Sequence, residues 1–558
     1  MKKAFKFIGA SLLIVIILLF TLPFLFKNKI LVLVKSEINK NINGHVEFTD
    51  LDLSLFRHFP KLTVVLKNVS VTGINQFTKD TLLSAPNTEV SVNIQSMISG
   101  KDMTVYGIYF DAPRIKALVA EDGKANWDIS KRDTAVAAMD TSATSLSLNL
   151  EKYSITDGHL FYEDRSIGMS AEITDLDHEG SGNFKEDLFT LSTSTKAGAA
   201  NFVYASIPYL VDAKTGIEAD IQIDNRTASY TFKNAAVQVN NLKLVANGLL
   251  QLVDDSSYKM DMSFDAPSNG FKDILSLVPA VYKNDFDKIK TSGTAGFKGF
   301  VKGMYSPQQM PAYQVDLTVK DGLFQYPDLP QPVKNIQVEA QVSNSDGVMD
   351  NTVVNITKGH LEFGAEPFDF RLLFKNPETS KYIDAAVKGK INLADVVKYI
   401  KLDPGTKLSG IVFADAFVRG NVSAIQKQDA PFSAGGFFDI KNLYYASKDF
   451  PKPVQNGNFK MELQNNNGTA DATVINISTG HVEIANDPLD FSLIVRNPVS
   501  SIDFSGIAKG RLTLANVAQF VTLEPGTNLS GIVNGDVRFS GSKKAIDAKE
   551  YDKIQAAG

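Results

Sequence analysis

Four of the six histidines follow a glycine directly, a recurrence that invites a search for metal ligands. They are His45, His159, His360 and His481. Imidazole nitrogens bind zinc, but a metalloenzyme brings its ligands together by short spacings such as i, i+4 or HExxH. These histidines lie more than 100 residues apart and have no such partner. We therefore predict that each one begins a strand after a glycine turn, and we expect no metal site.

Other catalytic signals are also missing from the sequence. No GxSxG, P-loop or dinucleotide-binding glycine pattern occurs in a suitable context, and the chain contains no cysteine. We expect no catalytic residue and no cofactor, and we predict that the chain is not an enzyme. An anchored envelope hydrolase is the alternative, and it would require a cluster of perturbed polar groups in a pocket.

Composition excludes a further class of function. The 558 residues are 44% hydrophobic and 10% aromatic, enough to bury a large core. There are 57 basic and 62 acidic residues, a net charge of −5, with no long Lys/Arg cluster in the body. Nucleic-acid binding depends on such a cluster, so we expect no nucleic-acid partner.

An internal repeat organises the C-terminal part. Residues 351–420 align without a gap with residues 472–541, and 30 of the 70 paired positions are identical. The period is 121 residues, with copies predicted near 304–424 and 425–545 and a diverged copy near 238–303. Fixed-length repeats build modular surfaces or conduits, whereas a catalytic site needs one unique constellation of residues. The third copy ends shortly before residue 558, so we expect a truncated C-terminus.

The N-terminus predicts a membrane anchor. Residues 7–26 carry no charge, enough at about 1.5 Å per residue to cross roughly 30 Å of hydrocarbon. Three lysines precede this run and two follow it, which favours a cytoplasmic N-terminus and an exported body. We assign 1–29 to a transmembrane signal anchor. Apolar residues at helical spacing predict an amphipathic helix over 30–42, which lies on the membrane, plugs one end of the fold or packs on the first sheet.

Beyond residue 43 apolar and polar residues alternate, which predicts strands with one apolar face. The clearest examples supply the candidate lining of an apolar groove: Ile336, Val338, Val342, Phe459, Met461 and Leu463. The same alternation would also form a closed sandwich of two sheets, so alternation alone leaves both architectures open. The repeat and the anchor favour the groove.

Five Asx-Gly pairs predict hairpin turns between these strands. They are Asp157-Gly158, Asn247-Gly248, Asp321-Gly322, Asn456-Gly457 and Asn467-Gly468. Short helices are predicted at matching places, over 271–278, 393–400 and 514–521, where they would cap the sheet. The segments are then 43–131, a first β-rich region; 132–145, a small-residue loop; and 146–558, the repeated body.

The order of motifs near the N-terminus resembles that of AsmA-family proteins. The anchor precedes a Gly-His-Val-Glu-Phe segment at 44–48, a Phe-Pro-Lys-Leu segment at 59–62 and an Asp-Gly-Lys-Ala-Asn-Trp-Asp segment at 122–128. The resemblance is carried by Gly44, Asn126, Trp127 and Asp128 as structural motif residues, with Trp127 expected as a buried aromatic. It extends less specifically over the repeats, toward the TamB-like bridge-type lipid-transfer proteins.

The resemblance implies a mainly β protein: a transmembrane helix followed by an elongated, curved antiparallel β-sheet, a repeating β-groove with short capping helices. It implies attachment to the bacterial inner membrane, a body in the periplasm and the handling of phospholipid acyl chains in support of outer-membrane biogenesis. The alternative is an assembly factor that affects the insertion or localisation of outer-membrane proteins. The family brings no catalytic residues.

Overall fold

A computed structural model describes 31, 42, 44–93, 103–129, 146–254, 257–275, 289–306, 308–325, 331–396, 402–403, 405–425, 427–448, 452–517 and 529–558. The predicted anchor over 1–29 and the loop over 132–145 lie outside these residues, as does the predicted helix 30–42 except for Leu31 and Ile42. Among the described residues, no helix is long and apolar enough to cross a bilayer.

The chain divides into two compact units. The N-terminal unit comprises Met1–Ala266 and Asp273–Tyr282, and the C-terminal unit comprises Pro267–Lys272 and Lys283–Gly558. Both are mainly β, as predicted. The described helices are short: α1 (Phe271–Leu275), α2 (Leu393–Val396), α3 (Leu514–Val517) and α4 (Lys543–Asp547). α1, α2 and α3 begin where the sequence predicts helices, and the C-terminal parts of those predictions lie outside the described residues.

The N-terminal unit contains thirteen strands among its described residues, the last of which continues past the unit boundary. They are β1 (His45–Glu47), β2 (Asp50–Ser54), β3 (Leu62–Thr72), β4 (Thr81–Val92), β5 (Met103–Asp111), β6 (Arg114–Val119), β7 (Leu146–Asp164), β8 (Met169–Ser181), β9 (Leu188–Tyr204), β10 (Ile207–Asp224), β11 (Ser229–Val239), β12 (Leu242–Asp254) and β13 (Ser257–Gly270). From β7 to β13 each strand pairs antiparallel with the next.

The purely antiparallel prediction is wrong at one place in this unit. β5 and β6 follow one another along the same side of β7, and both run parallel to it. A parallel pair needs a long connection, and the 26 residues between β6 and β7 supply one. The first strands also enclose a core of fully buried side chains, including Leu51, Leu55, Val64 and Val92, against which Leu31 packs.

The C-terminal unit is a simple antiparallel meander. Its strands are β14 (Lys290–Tyr305), β15 (Ala312–Gln325), β16 (Val333–Asn344), β17 (Val353–Phe363), β18 (Glu366–Lys375), β19 (Tyr382–Asn392), β20 (Lys407–Asn421), β21 (Phe432–Ala446), β22 (Val454–Gly468), β23 (Val474–Ile484), β24 (Asp487–Arg496), β25 (Asp503–Thr513), β26 (Ile532–Ser542) and β27 (Gln555–Ala557). Every strand pairs with the next in sequence.

The sequence repeat is also a structural repeat. β17, β18, β19 and α2 have their counterparts in β23, β24, β25 and α3, and both ends of each element are displaced by 121 residues. A 3-10 turn before each first strand, Met349–Asn351 or Ala470–Ala472, obeys the same offset. The copied sequence therefore folds into the same succession of elements twice.

Four of the five Asx-Gly pairs do not form the predicted hairpins. The fifth, Asn467-Gly468, lies at the end of β22. Asp157-Gly158, Asn247-Gly248, Asp321-Gly322 and Asn456-Gly457 lie inside β7, β12, β15 and β22. Asp157, Asp321 and Asn456 have positive φ, and the strand register shifts at or beside these residues. Some β-bulges use the same left-handed backbone as a tight turn, and a bulge bends the strand that contains it.

Candidate functional site

One face of the meander in the C-terminal unit is apolar over successive strands. Residues directly opposite one another on paired strands point to the same side of a sheet. Following these pairs from β16 to β22 gives an unbroken row without a polar side chain: Val338, Gly359, Phe370, Val387, Ala416, Gly436 and Leu463. We call this side of β14–β26 the apolar face.

The apolar face continues beyond β22 into the last repeat. Opposite Met461 lies Ile477, which in turn faces Leu493. Opposite Phe459 lies Gly480, which faces Phe491. The face therefore passes from one copy of the repeat to the next without interruption, because both copies carry apolar residues at the same strand positions.

The opposite side of the same strands carries the charged residues, together with Phe413, Phe417 and Phe437. Ion pairs lie along it: Lys388 Nζ contacts Asp415 Oδ2 across two strands at 2.8 Å, and Lys460 Nζ contacts Glu462 Oε1 within β22 at 2.8 Å. Asp384 is nearly buried there and accepts hydrogen bonds from Arg371 Nη1 at 2.9 Å and Arg419 Nε at 2.8 Å. A sheet with one wet and one apolar side is the result.

Many large side chains of the apolar face are only partly buried, although Ile440 and Ile477 are buried. Phe459, Met461 and Leu463 are half-buried, while the charged residues that alternate with them are exposed. Most of the fully buried apolar residues of this unit are alanines, such as Ala414, Ala416 and Ala434. In a closed sandwich the large side chains would be the ones removed from water. The burial pattern therefore favours an open face over a closed core.

Glycines on the apolar face let aromatic rings lie flat against the sheet. A methyl group added at Gly359 would overlap the ring of Phe370 on the neighbouring strand, and one added at Gly480 would overlap the ring of Phe491. Both pairs are related by the 121-residue repeat. The ring of Phe459 lies next to that of Phe491, with centroids 6.0 Å apart. Each repeat thus presents a smooth aromatic surface.

A cavity of about 360 Å³ opens on the apolar face where β19 begins and β20 ends. Its floor is made of small residues of the face, including Ala385, Ala416 and Ala434, and Thr473 is the one polar residue among those that line it. Ligand pockets span about 300–1,000 Å³, so this cavity has the size of a small ligand site. Leu463, one of the residues predicted to line a groove, lies on its wall.

The roof of this cavity is held by hydrogen bonds between three connections. Gln428 Oε1 accepts a hydrogen bond from the Asp471 backbone N–H at 2.8 Å. Asp471 Oδ1 accepts hydrogen bonds from the backbone N–H groups of Val499 at 2.9 Å and Ser500 at 3.0 Å. Ile425, Pro498 and Val499 project from these connections onto the cavity. The polar links thus fix an apolar roof over one end of the face.

The structure places all six predicted lining residues on the apolar face. Val338 and Val342 face Gly359 and Val354 of β17. Ile336 shares their side of β16 and lies against Gly322. Phe459, Met461 and Leu463 follow on β22, six strands away, so the two groups share one face without touching. The sequence did not identify the glycine–phenylalanine pairs or the alanine floor, because their role depends on which strands are neighbours.

The prediction that each glycine–histidine motif begins a strand holds at His45, the first residue of β1, and is wrong at the other three motifs. Gly158, Gly359 and Gly480 lie within β7, β17 and β23. His360 Nδ1 contacts Asp369 Oδ1 at 2.7 Å, and His481 Nδ1 contacts Asp490 Oδ1 at 2.7 Å, again at the repeat offset. Each histidine is paired with a carboxylate across the polar side. No group of three metal-ligating side chains occurs among the described residues.

The N-terminal motif residues have unequal roles. Asn126 is fully buried; its side chain accepts a hydrogen bond from Leu118 N at 2.9 Å and donates one to Lys116 O at 2.7 Å. It thereby closes the turn after β6. Trp127 is 44% exposed, so the expectation of a buried aromatic is wrong. Asp128 is exposed, and Gly44 packs close to the Thr72 carbonyl, where a side chain would be tight.

The described residues thus form a β-sheet protein with a long apolar surface. In a comparison with known protein families, the model of the AsmA family matches residues 1–272, just under half of the chain. The N-terminal part of the chain is therefore similar to the AsmA family, as the order of its N-terminal motifs predicts. No curated protein and no solved structure matches it.

Proposed function

We propose that this chain is a non-enzymatic lipid-handling protein of the bacterial envelope that binds phospholipid acyl chains along its apolar face. A predicted N-terminal helix holds it in the inner membrane, and its body lies in the periplasm. The bulged strands bend the sheet of the C-terminal unit into a groove. Lipid movement along it supports outer-membrane biogenesis, with no cofactor.

The observation that carries the proposal is the row from Val338 to Leu463. Every side chain in the row is apolar or absent, and the row crosses seven strands. Covering apolar surface stabilises a complex by about 25 cal/mol per Å², or roughly 0.8 kcal/mol per CH₂ removed from water. A half-exposed face of this length has surface to offer an acyl chain, while a polar head group remains in water at its edge.

The geometry also suits passive movement of lipid. Apolar contacts are not directional, so an acyl chain meets a similar environment at each successive strand. The repeat provides this similarity, since the rows of both copies carry apolar residues at equivalent positions. A chain sliding along the face exchanges one set of weak contacts for another and requires no covalent step.

Mass spectrometry of co-purified lipid tests the proposal. Residues 43–558 are expressed in the periplasm and purified without detergent, beside a variant with Val338→Asp and Met461→Asp. The matched control carries Gln337→Asp and Gln464→Asp, on the opposite side of the same two strands. We expect phospholipid in the parent and the control, and its loss from the first variant with the circular dichroism of the parent retained. A folded parent without lipid would contradict the proposal and favour the assembly-factor alternative.

A further inference from the structure

The connection between β2 and β3, residues 55–61, exposes two phenylalanines at its tip. Phe56 is 68% exposed and Phe59 is 75% exposed, and Phe59 has the highest exposure among the large hydrophobic residues that the structure describes. A soluble loop normally presents polar side chains to water, and two exposed aromatic side chains in one short loop indicate a surface that meets another phase or partner.

Polar residues of this loop form contacts with neighbouring strands that hold it in place. Arg57 forms an ion pair with Glu89 on β4. The ring of His58 stacks on that of Tyr109, with centroids 4.2 Å apart, and its Nδ1 contacts Thr63 Oγ1 at 3.1 Å. The loop is therefore anchored through its polar side chains, while the two phenylalanines remain largely exposed.

The predicted anchor leads into the core beneath this loop. Leu31 packs against the core cluster that contains Leu55, the residue immediately before Phe56. Residue 31 comes five positions after the uncharged run 7–26, and five residues span at most about 17 Å. Arg57 and Lys61 flank the aromatic tip, and each is paired with a carboxylate of a neighbouring strand, Glu89 or Glu151.

From these observations we propose that the 55–61 loop is a membrane-docking element, with Phe56 and Phe59 inserted into the interface of the bilayer that holds the N-terminal anchor. Aromatic rings prefer the head-group region, where an apolar body can leave water without entering the hydrocarbon fully. Docking at this second point would fix the orientation of the N-terminal unit on the membrane. The inference rests on the proposed anchor and is independent of lipid binding by the apolar face.

A fluorescent label tests the docking directly, because the chain has no native cysteine. Phe59→Cys is labelled with nitrobenzoxadiazole in the full-length chain. The protein is reconstituted into vesicles of phosphatidylethanolamine and phosphatidylglycerol, with or without nitroxide-bearing lipids. The control label is at Ile167→Cys, which is 51% exposed in the turn between β7 and β8 of the same unit.

We expect blue-shifted emission at position 59 with strong quenching by head-group nitroxide, and neither effect at position 167. Adding Phe56→Ser should weaken the quenching at position 59 while the chain still floats with the vesicles. Emission at position 59 that stays unquenched in a floating chain would overturn the docking and leave the anchor intact. An unquenched blue shift would likewise overturn it, by indicating a protein contact. A chain that fails to float with the vesicles would overturn both the docking and the anchor.

Discussion

Val338 and Leu463 belong to different copies of the repeat, yet they are the two ends of one cross-strand row on the apolar face. Six strand spacings separate them, roughly 29 Å at about 4.8 Å per spacing. The row remains apolar because the copies keep the same register, so that each apolar position finds an apolar partner. A repeat of 121 residues thus extends one apolar surface across the strands of two copies.

Filling the cavity should reduce lipid contact at that place alone. Ala416→Leu adds three heavy atoms to a floor that faces about 360 Å³ of space, so we expect it to fold as the parent does. Benzoylphenylalanine at Phe432, which also lines the cavity, reports lipid by photocrosslinking. The crosslink should fall several-fold with Ala416→Leu and stay unchanged with Ala508→Leu, a residue of the same face outside the cavity. Equal yields would mean that the cavity holds no acyl chain.

Gly480 should not tolerate a side chain. Gly480→Ala forces a methyl group into the ring of Phe491, and overpacking of this kind costs about 1–3 kcal/mol of unfolding free energy. Urea denaturation measures the loss, and Phe491→Leu in the same chain should restore part of it. The control is Gly535→Ala on β26, where the new methyl would meet Val537 at an ordinary 3.5 Å and should change stability little. Equal effects at both glycines would refute the packing argument.

The cluster of Arg371, Asp384 and Arg419 offers a comparison between repeats. All three positions are serine 121 residues later, at Ser492, Ser505 and Ser540. Asp384→Ala leaves two guanidinium groups side by side without their carboxylate, and we expect a loss of about 1–3 kcal/mol.

Replacing the whole cluster with serine should recover most of this loss, because the second copy folds with that arrangement. Thermal unfolding of the single and triple variants tests the comparison. A triple variant that is less stable than Asp384→Ala would show that the ion cluster itself is required at this place.

Acid should weaken the last repeat through Asp487. Burial alone would raise the pKa of this carboxyl, but hydrogen bonds from Thr513, Asn516 and Arg511 outweigh burial and lower the pKa below its ordinary value. The shortest of them joins the Thr513 backbone N–H to Asp487 Oδ2 at 2.7 Å.

A carboxyl with a lowered folded pKa stabilises the fold above its unfolded pKa, about 3.9, and this contribution is lost as pH falls through the folded value. Hydrogen exchange at the Thr513 amide should accelerate, relative to its intrinsic rate, below about pH 4. In Asp487→Asn this protection should vary less with pH. Parallel pH profiles for the two proteins would contradict the assignment.

Local sequence patterns predicted the strands well. Alternation placed Ile336–Val342 and Phe459–Leu463 on strands with one apolar side, and β16 and β22 contain them. The constant offset of 121 residues also predicted that both copies would share one succession of elements. These features depend on residues close in sequence, where side-chain direction follows from the strand period alone.

The same local sequence patterns could not predict features that depend on which strands are neighbours. Asp321-Gly322 supplies a positive φ that serves a hairpin or a bulge equally well, and the pairing of β15 with β16 makes it a bulge. Trp127 was expected in the core, but buried Asn126 satisfies the backbone there and the indole lies outside. The alanine floor of the cavity likewise emerges only when β19, β20 and β21 are brought side by side.

Photocrosslinking at two adjacent residues of β22 tests the central claim most directly. Benzoylphenylalanine replaces Met461 on the apolar face or Glu462 on the polar side, in the full-length chain within cells labelled with radioactive phosphate. Binding of acyl chains by the apolar face predicts a phospholipid adduct at position 461 and little or none at position 462, with both proteins present in equal amount. Equal labelling at the two positions, or none at position 461 in a folded chain, would contradict it.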